Sequence, residues 1–174
     1  NMAYQLLDMA LLRRDAVEEE DCSVAVLFEQ SKKVMHVRAA EKNICLFYRM
    51  SENIHIKGNM EQLLILVNNL IDNAIKASKP EGEVRILAYL EESNIVVEVE
   101  DHGIGMDANS LLHIKEAFYR ADKARSRAAG GTGLGLSICE KIAQLHHAEL
   151  IFVSEPGKGT LVKLIFSQNN NEKS

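Results

Sequence analysis

The distribution of glycine constrains this chain more than any other feature. Of its ten glycines, eight fall in three clusters: Gly103 and Gly105, then Gly130, Gly131, Gly133 and Gly135, then Gly157 and Gly159. A residue without a Cβ loses more conformational entropy on folding, so glycines collect where the backbone takes positive φ or approaches a ligand too closely for a side chain. Turns alone could explain the last pair. They explain the run Gly130-Gly131-Thr132-Gly133-Leu134-Gly135-Leu136 poorly, because it leads straight into a helix expected from residue 134. Free backbone N–H groups and the helix dipole make such a junction an anion site, and a phosphate is its natural guest.

Around these clusters the hydrophobic spacing predicts a small set of elements. Residues 3–17 have helical spacing and begin in mid-pattern, so residues 1–21 are expected to be the end of a longer helix, closed by the acidic run at 18–21. A second helix is expected over 23–41, capped by Ser23, with Val26, Leu27, Val34 and Val37 toward the core. Short strands follow at 43–48 and 53–56, then a helix over 60–78 that ends before Pro80 and Gly82. Two hairpins are expected, 83–90 with 94–100 and 149–153 with 160–166, with a helix over 134–147 before the second. Strands in hairpin pairs with helices between them imply an α+β two-layer sandwich, with a mixed, mainly antiparallel sheet and helices on one face. The tail, 168–174, is polar and expected to be disordered. Residues 106–130 hold only one weak helical turn and a basic segment at 119–127, the character of a long functional lid.

The helix over 60–78 carries two stripes when its residues are placed at about 100° intervals. Leu63, Val67, Leu70, Ile71 and Ala74 form the apolar one, and Gln62, Asn69, Asn73 and Lys76 form a polar one beside it. Asparagine is a poor helix-interior residue, so two of them one turn apart are either surface amides bonded to water or carbonyl donors for a phosphate-bound Mg²⁺, with Lys76 meeting phosphate. Asp101 lies at a strand end before His102-Gly103-Ile104-Gly105. It is either a turn residue or a carboxylate placed to accept a hydrogen bond from a ligand amine such as that of adenine. Arg120, Lys123, Arg125, Arg127 and the more distant Lys115 are a solvated face or, beside a glycine-rich anion site, a lid that closes over phosphates.

Composition excludes other classes. The 174 residues suit one domain, and a formal net charge of −5 argues against an unspecific grip on nucleic acid or on an anionic membrane. No apolar run is long enough for a membrane span. Three scattered cysteines disfavour a disulfide framework or a zinc site, and a reducing cytoplasm fits best. The sequence from Gly103 to Ala108 satisfies a loose G-x-G-x-x-A fingerprint, but no apolar parallel strand follows it as a βαβ unit requires. A Walker P-loop, G-x-S-x-G and H-E-x-x-H are all absent. His146, His147 and Cys139 make a poor metal set, since adjacent helical residues point apart.

In chain order, Asn69-Leu70-Ile71-Asp72-Asn73-Ala74, Asp101-His102-Gly103-Ile104-Gly105, Phe118-Tyr119-Arg120 and Gly130-Gly131-Thr132-Gly133-Leu134-Gly135-Leu136 resemble the N, G1, F and G2 boxes of the catalytic ATP-binding domain of sensor histidine kinases. The resemblance covers residues 22–167. It implies the α/β sandwich shared with gyrase, mismatch-repair and heat-shock chaperone ATPases, with ATP and Mg²⁺ bound. By this resemblance Asn73 would bind Mg²⁺, Asn69 and Lys76 the phosphates as the catalytic pair, and Asp101 the adenine amino group. Gly131, Thr132, Gly133, Leu134, Gly135 and Leu136 would follow the triphosphate, and Thr160 would lie near the base. Gly103, Gly105 and Tyr119 would complete the site, and Arg120 and Arg127 would reach phosphate from the lid.

Residues 1–21 resemble the end of the family's dimerisation helix. The phosphoacceptor histidine motif is missing, so the acceptor would lie outside this chain. The implied partners are that dimerisation and phosphoacceptor domain, within a homodimeric protein, and a response regulator. The implied setting is the cytoplasmic part of a membrane-anchored sensor. Lys115 stands where the family often has phenylalanine, which would weaken lid docking. Related ATPases and serine kinases carry glutamate where this chain has Asn69; an amide cannot act as that base, which favours phosphotransfer to histidine over hydrolysis. A nucleotide-regulated interaction module, or a serine kinase or ATPase of the same superfamily, is the alternative.

Overall fold

The computed structural model describes residues 19–51, 53–114 and 134–167. In chain order these form strand β1 (Glu20–Ser23), helix α1 (Val24–Ala40), strands β2 (Cys45–Met50) and β3 (His55–Gly58) and helix α2 (Met60–Ala77). Strands β4 (Glu83–Glu91) and β5 (Asn94–Asp101), the short helix α3 (Ala108–His113), helix α4 (Gly135–Leu145) and strands β6 (Ala148–Glu155) and β7 (Gly159–Ser167) complete the order. Five strands make one sheet, β2-β4-β5-β7-β6, in which only β2 and β4 run parallel. Helix α2 lies against one face of this sheet, flanked by α1 and α4. This is the expected two-layer α+β sandwich with a mixed, mainly antiparallel sheet. The helix expected over residues 3–17, and the tail, lie outside the described residues.

Helix α2 forms because its apolar residues repeat at helical spacing and its ends are satisfied. The Asn59 side chain accepts the Gln62 N–H at 3.0 Å, and beyond Ser78 the chain turns away before Pro80. At the other end the Lys42 ammonium donates to the Ile75 and Lys76 carbonyls, both at 3.1 Å. Leu63, Leu66, Val67, Leu70, Ile71, Ala74 and Ile75 are buried. Burying each of the larger ones contributes about 1.5–3 kcal/mol relative to exposure. They pack on the strands β4, β5 and β7, whose inward row includes Ile86, Val99 and Val162.

The short strands expected near 43–48 and 53–56 form but do not pair with each other: β2 pairs with β4, and β3 pairs antiparallel with β1 as a separate two-stranded sheet. Two local expectations are corrected. The acidic run is not a helix end, since β1 begins within it at Glu20. In α1, Val26, Val34 and Val37 are 47%, 48% and 54% exposed, and only Leu27 of the four expected core residues is buried. The buried row is Val24, Leu27, Phe28, Ser31, Met35 and Ala39. A serine at its centre concealed it. Ser31 can be fully buried because its hydroxyl donates to Asn68 Oδ1 at 2.8 Å and accepts from the Tyr48 hydroxyl at 3.1 Å. Ser23 does occupy the N-cap position, but its side chain makes no capping bond.

His146, just past α4, ties that helix to the start of α2. Its Nδ1–H donates to the Ile142 carbonyl at 2.8 Å, and its Nε2 accepts the Asn59 N–H at 3.0 Å. The ring fills the space where a Cβ on Gly58 would sit, 2.3 Å from it. The bond accepted at Nε2 requires a neutral imidazole. Burial pushes its pKa below the ordinary 6.5, against the Ile142 carbonyl and the charge of Glu19, which favour protonation. The folded state therefore binds fewer protons than the unfolded one: the contribution is whole above pH 6.5 and is lost as pH falls toward the folded pKa. His146→Gln is expected to lower stability by about 1–3 kcal/mol at neutral pH and to flatten the acid-side loss. Urea melts between pH 5 and 7.5 check both effects.

Candidate nucleotide site

The polar stripe of α2 faces the start of α4. Asn69 donates through Nδ2 to the Ile65 carbonyl at 2.9 Å, which leaves its Oδ1 free to point across the seam. A Cβ on Gly135 would lie 3.0 Å from that oxygen and 3.9 Å from Asn73 Nδ2. The structure thus brings together Asn69, Asn73 and the last glycine of the G2-like run. Asn73 Nδ2 is buried and has no hydrogen-bond partner among the described residues. An amide orphaned in this way costs roughly 1–3 kcal/mol, and its oxygen and nitrogen ends can exchange by a flip of the group. The arrangement fits a hard cation that takes a carbonyl oxygen there.

At the far end of α2, Asp101 closes β5 with 5% exposure. Its Oδ1 accepts the Gly103 N–H at 2.8 Å. Burial raises its pKa, and the N–H groups of Gly103 and Thr160 only partly offset this. A buried carboxylate with spare acceptor capacity suits a donor from outside the chain. Thr160 is its register partner on β7, so both side chains lie on the helix side of the sheet. The residues expected to read base and phosphate therefore occupy two ends of one seam along α2.

Several site residues have duties beyond those expected. Lys76 Nζ is 2.6 Å from Asp72 Oδ2, and Arg38 of α1 holds the other oxygen at 2.6 Å. Burial pushes the Asp72 pKa up, but these two cations pull harder, and its carboxyl lies below the usual range. The Lys76 ammonium is thus committed to a carboxylate on its own helix. Leu134 is fully buried and Leu136 packs against the core, so these side chains serve packing and leave only backbone to face a phosphate. Gly103 and Gly105 are required by the chain itself. A Cβ on Gly103 would fall 2.2 Å from the Ala77 carbonyl oxygen, and one on Gly105 (φ 62°) would fall 1.9 Å from that of Glu155. The 157–159 turn closes on the same loop, with Gly157 N–H donating to the Ile104 carbonyl at 2.7 Å. Because β5 is antiparallel to both neighbours, the G-x-G-x-x-A match has no βαβ context. Tyr119, Arg120, Arg127, Gly131, Thr132 and Gly133, with Lys115, lie outside the described residues.

Sequence reasoning missed Asp72 with Arg38, and Ser154. The first pair is far apart in the chain and has no local signal. Ser154 does have one: it continues the inward alternation Leu150, Phe152 on β6, a polar residue at a core position.

Residues 58–170 match the model of the histidine kinase-, DNA gyrase B- and HSP90-like ATPase family. The sensor histidine kinase YkoH of Bacillus subtilis is 36% identical over 163 residues, 93% of this chain and 36% of that protein. The signal transduction histidine-protein kinase ArlS of Staphylococcus aureus is 41% identical over 116 residues, 67% of this chain and 26% of that protein. The histidine kinase AdeS of Acinetobacter baumannii has the same fold, with a TM-score of 0.76 at 18% identity over 97% of this chain and 77% of that one. The chain belongs to this ATPase family. It spans about a third of the length of the curated relatives it matches.

The steric accounting yields a test in the absence of nucleotide. Gly105→Ala is expected to destabilise the chain by roughly 2–4 kcal/mol, from positive-φ strain together with displacement of the β6–β7 turn. Chemical denaturation without ligand measures it. An unchanged midpoint would mean that this glycine is kept for the ligand alone.

Proposed function

We propose that this chain binds ATP with Mg²⁺ along the seam between α2 and α4 and presents the γ-phosphate to a histidine on a domain outside the chain. The buried Asn73 Nδ2, which faces Gly135 beside Asn69 and has no hydrogen-bond partner among the described residues, carries the reading. Asn73 would hold Mg²⁺ through its amide oxygen, Asn69 and Lys76 would meet phosphate, and Asp101 would accept from the adenine amino group with Thr160 beside it. Mg²⁺ bound there would neutralise phosphate charge and orient the transferred group. Lys76 would exchange part of its contact with Asp72 for phosphate. Gly103 and Gly105 shape the base end by letting their loop close against α2 and β6.

Phosphotransfer to a histidine is favoured over hydrolysis because no carboxylate stands at Asn69. Its Nδ2 is used by the Ile65 carbonyl, and a neutral amide has no basic lone pair with which to activate water. A neutral imidazole is already nucleophilic, so positioning and charge neutralisation are what the site must supply. The similarity to named sensor kinases supports the remaining assignments: the dimerisation and phosphoacceptor domain of a homodimeric protein, a response regulator as the next acceptor, and a membrane-anchored sensor whose cytoplasmic part this is. Arg120 and Arg127 are assigned to the phosphates from the lid, with Tyr119 and the Gly131–Gly133 stretch completing the site.

Calorimetric titration with a non-hydrolysable ATP analogue, with and without Mg²⁺, tests the reading. Binding is expected to strengthen with Mg²⁺, and Asn73→Ala is expected to abolish that increment. Asp101→Asn is expected to weaken binding by roughly 1.5–3 kcal/mol with or without the metal. A chain that binds no adenine nucleotide overturns the proposal. A second assay supplies the phosphoacceptor domain of a relative. Asn69→Glu is expected to leave phosphotransfer no faster while raising ATP hydrolysis, and strong hydrolysis by the unmodified chain would sink the kinase assignment.

A further inference from the structure

The inner face of the sheet is apolar until its last row. There, register places Ser154 on β6, Thr160 on β7 and Asp101 on β5 side by side. Ser154 Oγ makes three contacts: it receives the Met106 N–H at 2.9 Å, lies 2.9 Å from the Gly159 carbonyl oxygen and lies 2.8 Å from Thr160 Oγ1. A serine hydroxyl has one proton and two lone pairs. A carbonyl can only accept, so the Ser154 proton belongs to Gly159. Met106 N–H takes one lone pair, and the second can be used only if the Thr160 hydroxyl donates to it. A single assignment therefore makes all three contacts hydrogen bonds. It consumes the Thr160 proton and leaves Thr160 Oγ1 with acceptor capacity only. The neighbouring Asp101 carboxylate is also an acceptor.

From this we infer that Ser154 is a positioning residue for base selection: by taking the Thr160 proton, it makes the base end of the site a row of acceptors that reads an exocyclic amino group and turns away a keto oxygen. The inference rests on the proposed placement of the base at Asp101. A 6-aminopurine offers N–H to this row, whereas the oxygen of a 6-oxopurine meets only lone pairs and is left unpaired. Were Thr160 free to rotate its proton outward, the row could present a donor and the distinction would shrink. Ser154 reaches no ligand in this scheme and acts through Thr160.

The test is calorimetry on the whole chain with ADP and with inosine diphosphate, which differ at the purine 6-position and in the N1 proton that accompanies it. The unmodified chain is expected to prefer ADP. Ser154→Ala is expected to reduce that preference about 3- to 10-fold, chiefly by weakening ADP. Thr160→Val is expected to reduce it as well, and adding Ser154→Ala to Thr160→Val is expected to leave the ratio where it is, as befits two residues acting in series. Ser154→Thr, which keeps the hydroxyl, is expected to restore the preference. If the alanine variant unfolds, Ser154→Cys keeps the volume with a weak donor and acceptor and gives the same reading. Equal weakening of both nucleotides by Ser154→Ala overturns the inference, as does a further fall in the ratio in the Thr160→Val background, while ADP binding by the unmodified chain leaves the site assignment standing. Binding of neither nucleotide by the unmodified chain overturns the site assignment and this inference together.

Discussion

The seating of α2 against one face of the sheet is the contact on which the other features depend. Its apolar stripe, from Leu63 to Ile75, has to face the strands, and this fixes where the adjacent polar stripe points. Asn69 and Asn73 are turned toward α4 as a consequence, and the Ala77 carbonyl is delivered to the loop that follows Asp101. Two clusters, the asparagines that face α4 and the loop after Asp101, are thus placed by one helix. Hydrophobic burial sets the geometry, and polar chemistry is placed where that burial runs out.

The same contact explains which polar groups the core tolerates. Ser31 and Asn68 are satisfied by one another and by Tyr48, and His146 by Asn59 and Ile142. The Asn73 amide nitrogen lacks such a partner among the described residues, on the seam where a ligand would enter. A group left open in this way stabilises the folded chain when a ligand fills it.

Much of this was legible in the sequence. The α2 stripe, both hairpins and the glycine clusters announce themselves through period and composition, and the order of the four boxes names the family. Legibility ended where long-range geometry decides. The valines of α1 read as core, but three of them face outward because Ser31 could be buried only once Asn68 and Tyr48 were beside it. Strands β2 and β3 were legible as strands, but nothing in their sequence told that β2 pairs with β4 and β3 with β1. At the site, Asn69, Asn73 and Asp101 stood out as polar residues in apolar patterns. The grip of Asp72 on Lys76 and Arg38 and the hydrogen-bond direction at Ser154 depend on distances that no spacing encodes.

The parallel pairing of β2 with β4 has a topological consequence. Helix α2 lies in the crossover that makes this pairing possible: the chain leaves β2, passes through β3 of the two-stranded sheet, runs along α2 and returns as β4 beside β2. The two ends of α2 are thus tied to different sheets, and its buried side packs between α1 and α4 on the five-stranded one. The amides of α2 accordingly belong to the most slowly exchanging cooperative unit, while α3, short and joined to the sheet mainly at its β6 edge, can open and reclose without disturbing it.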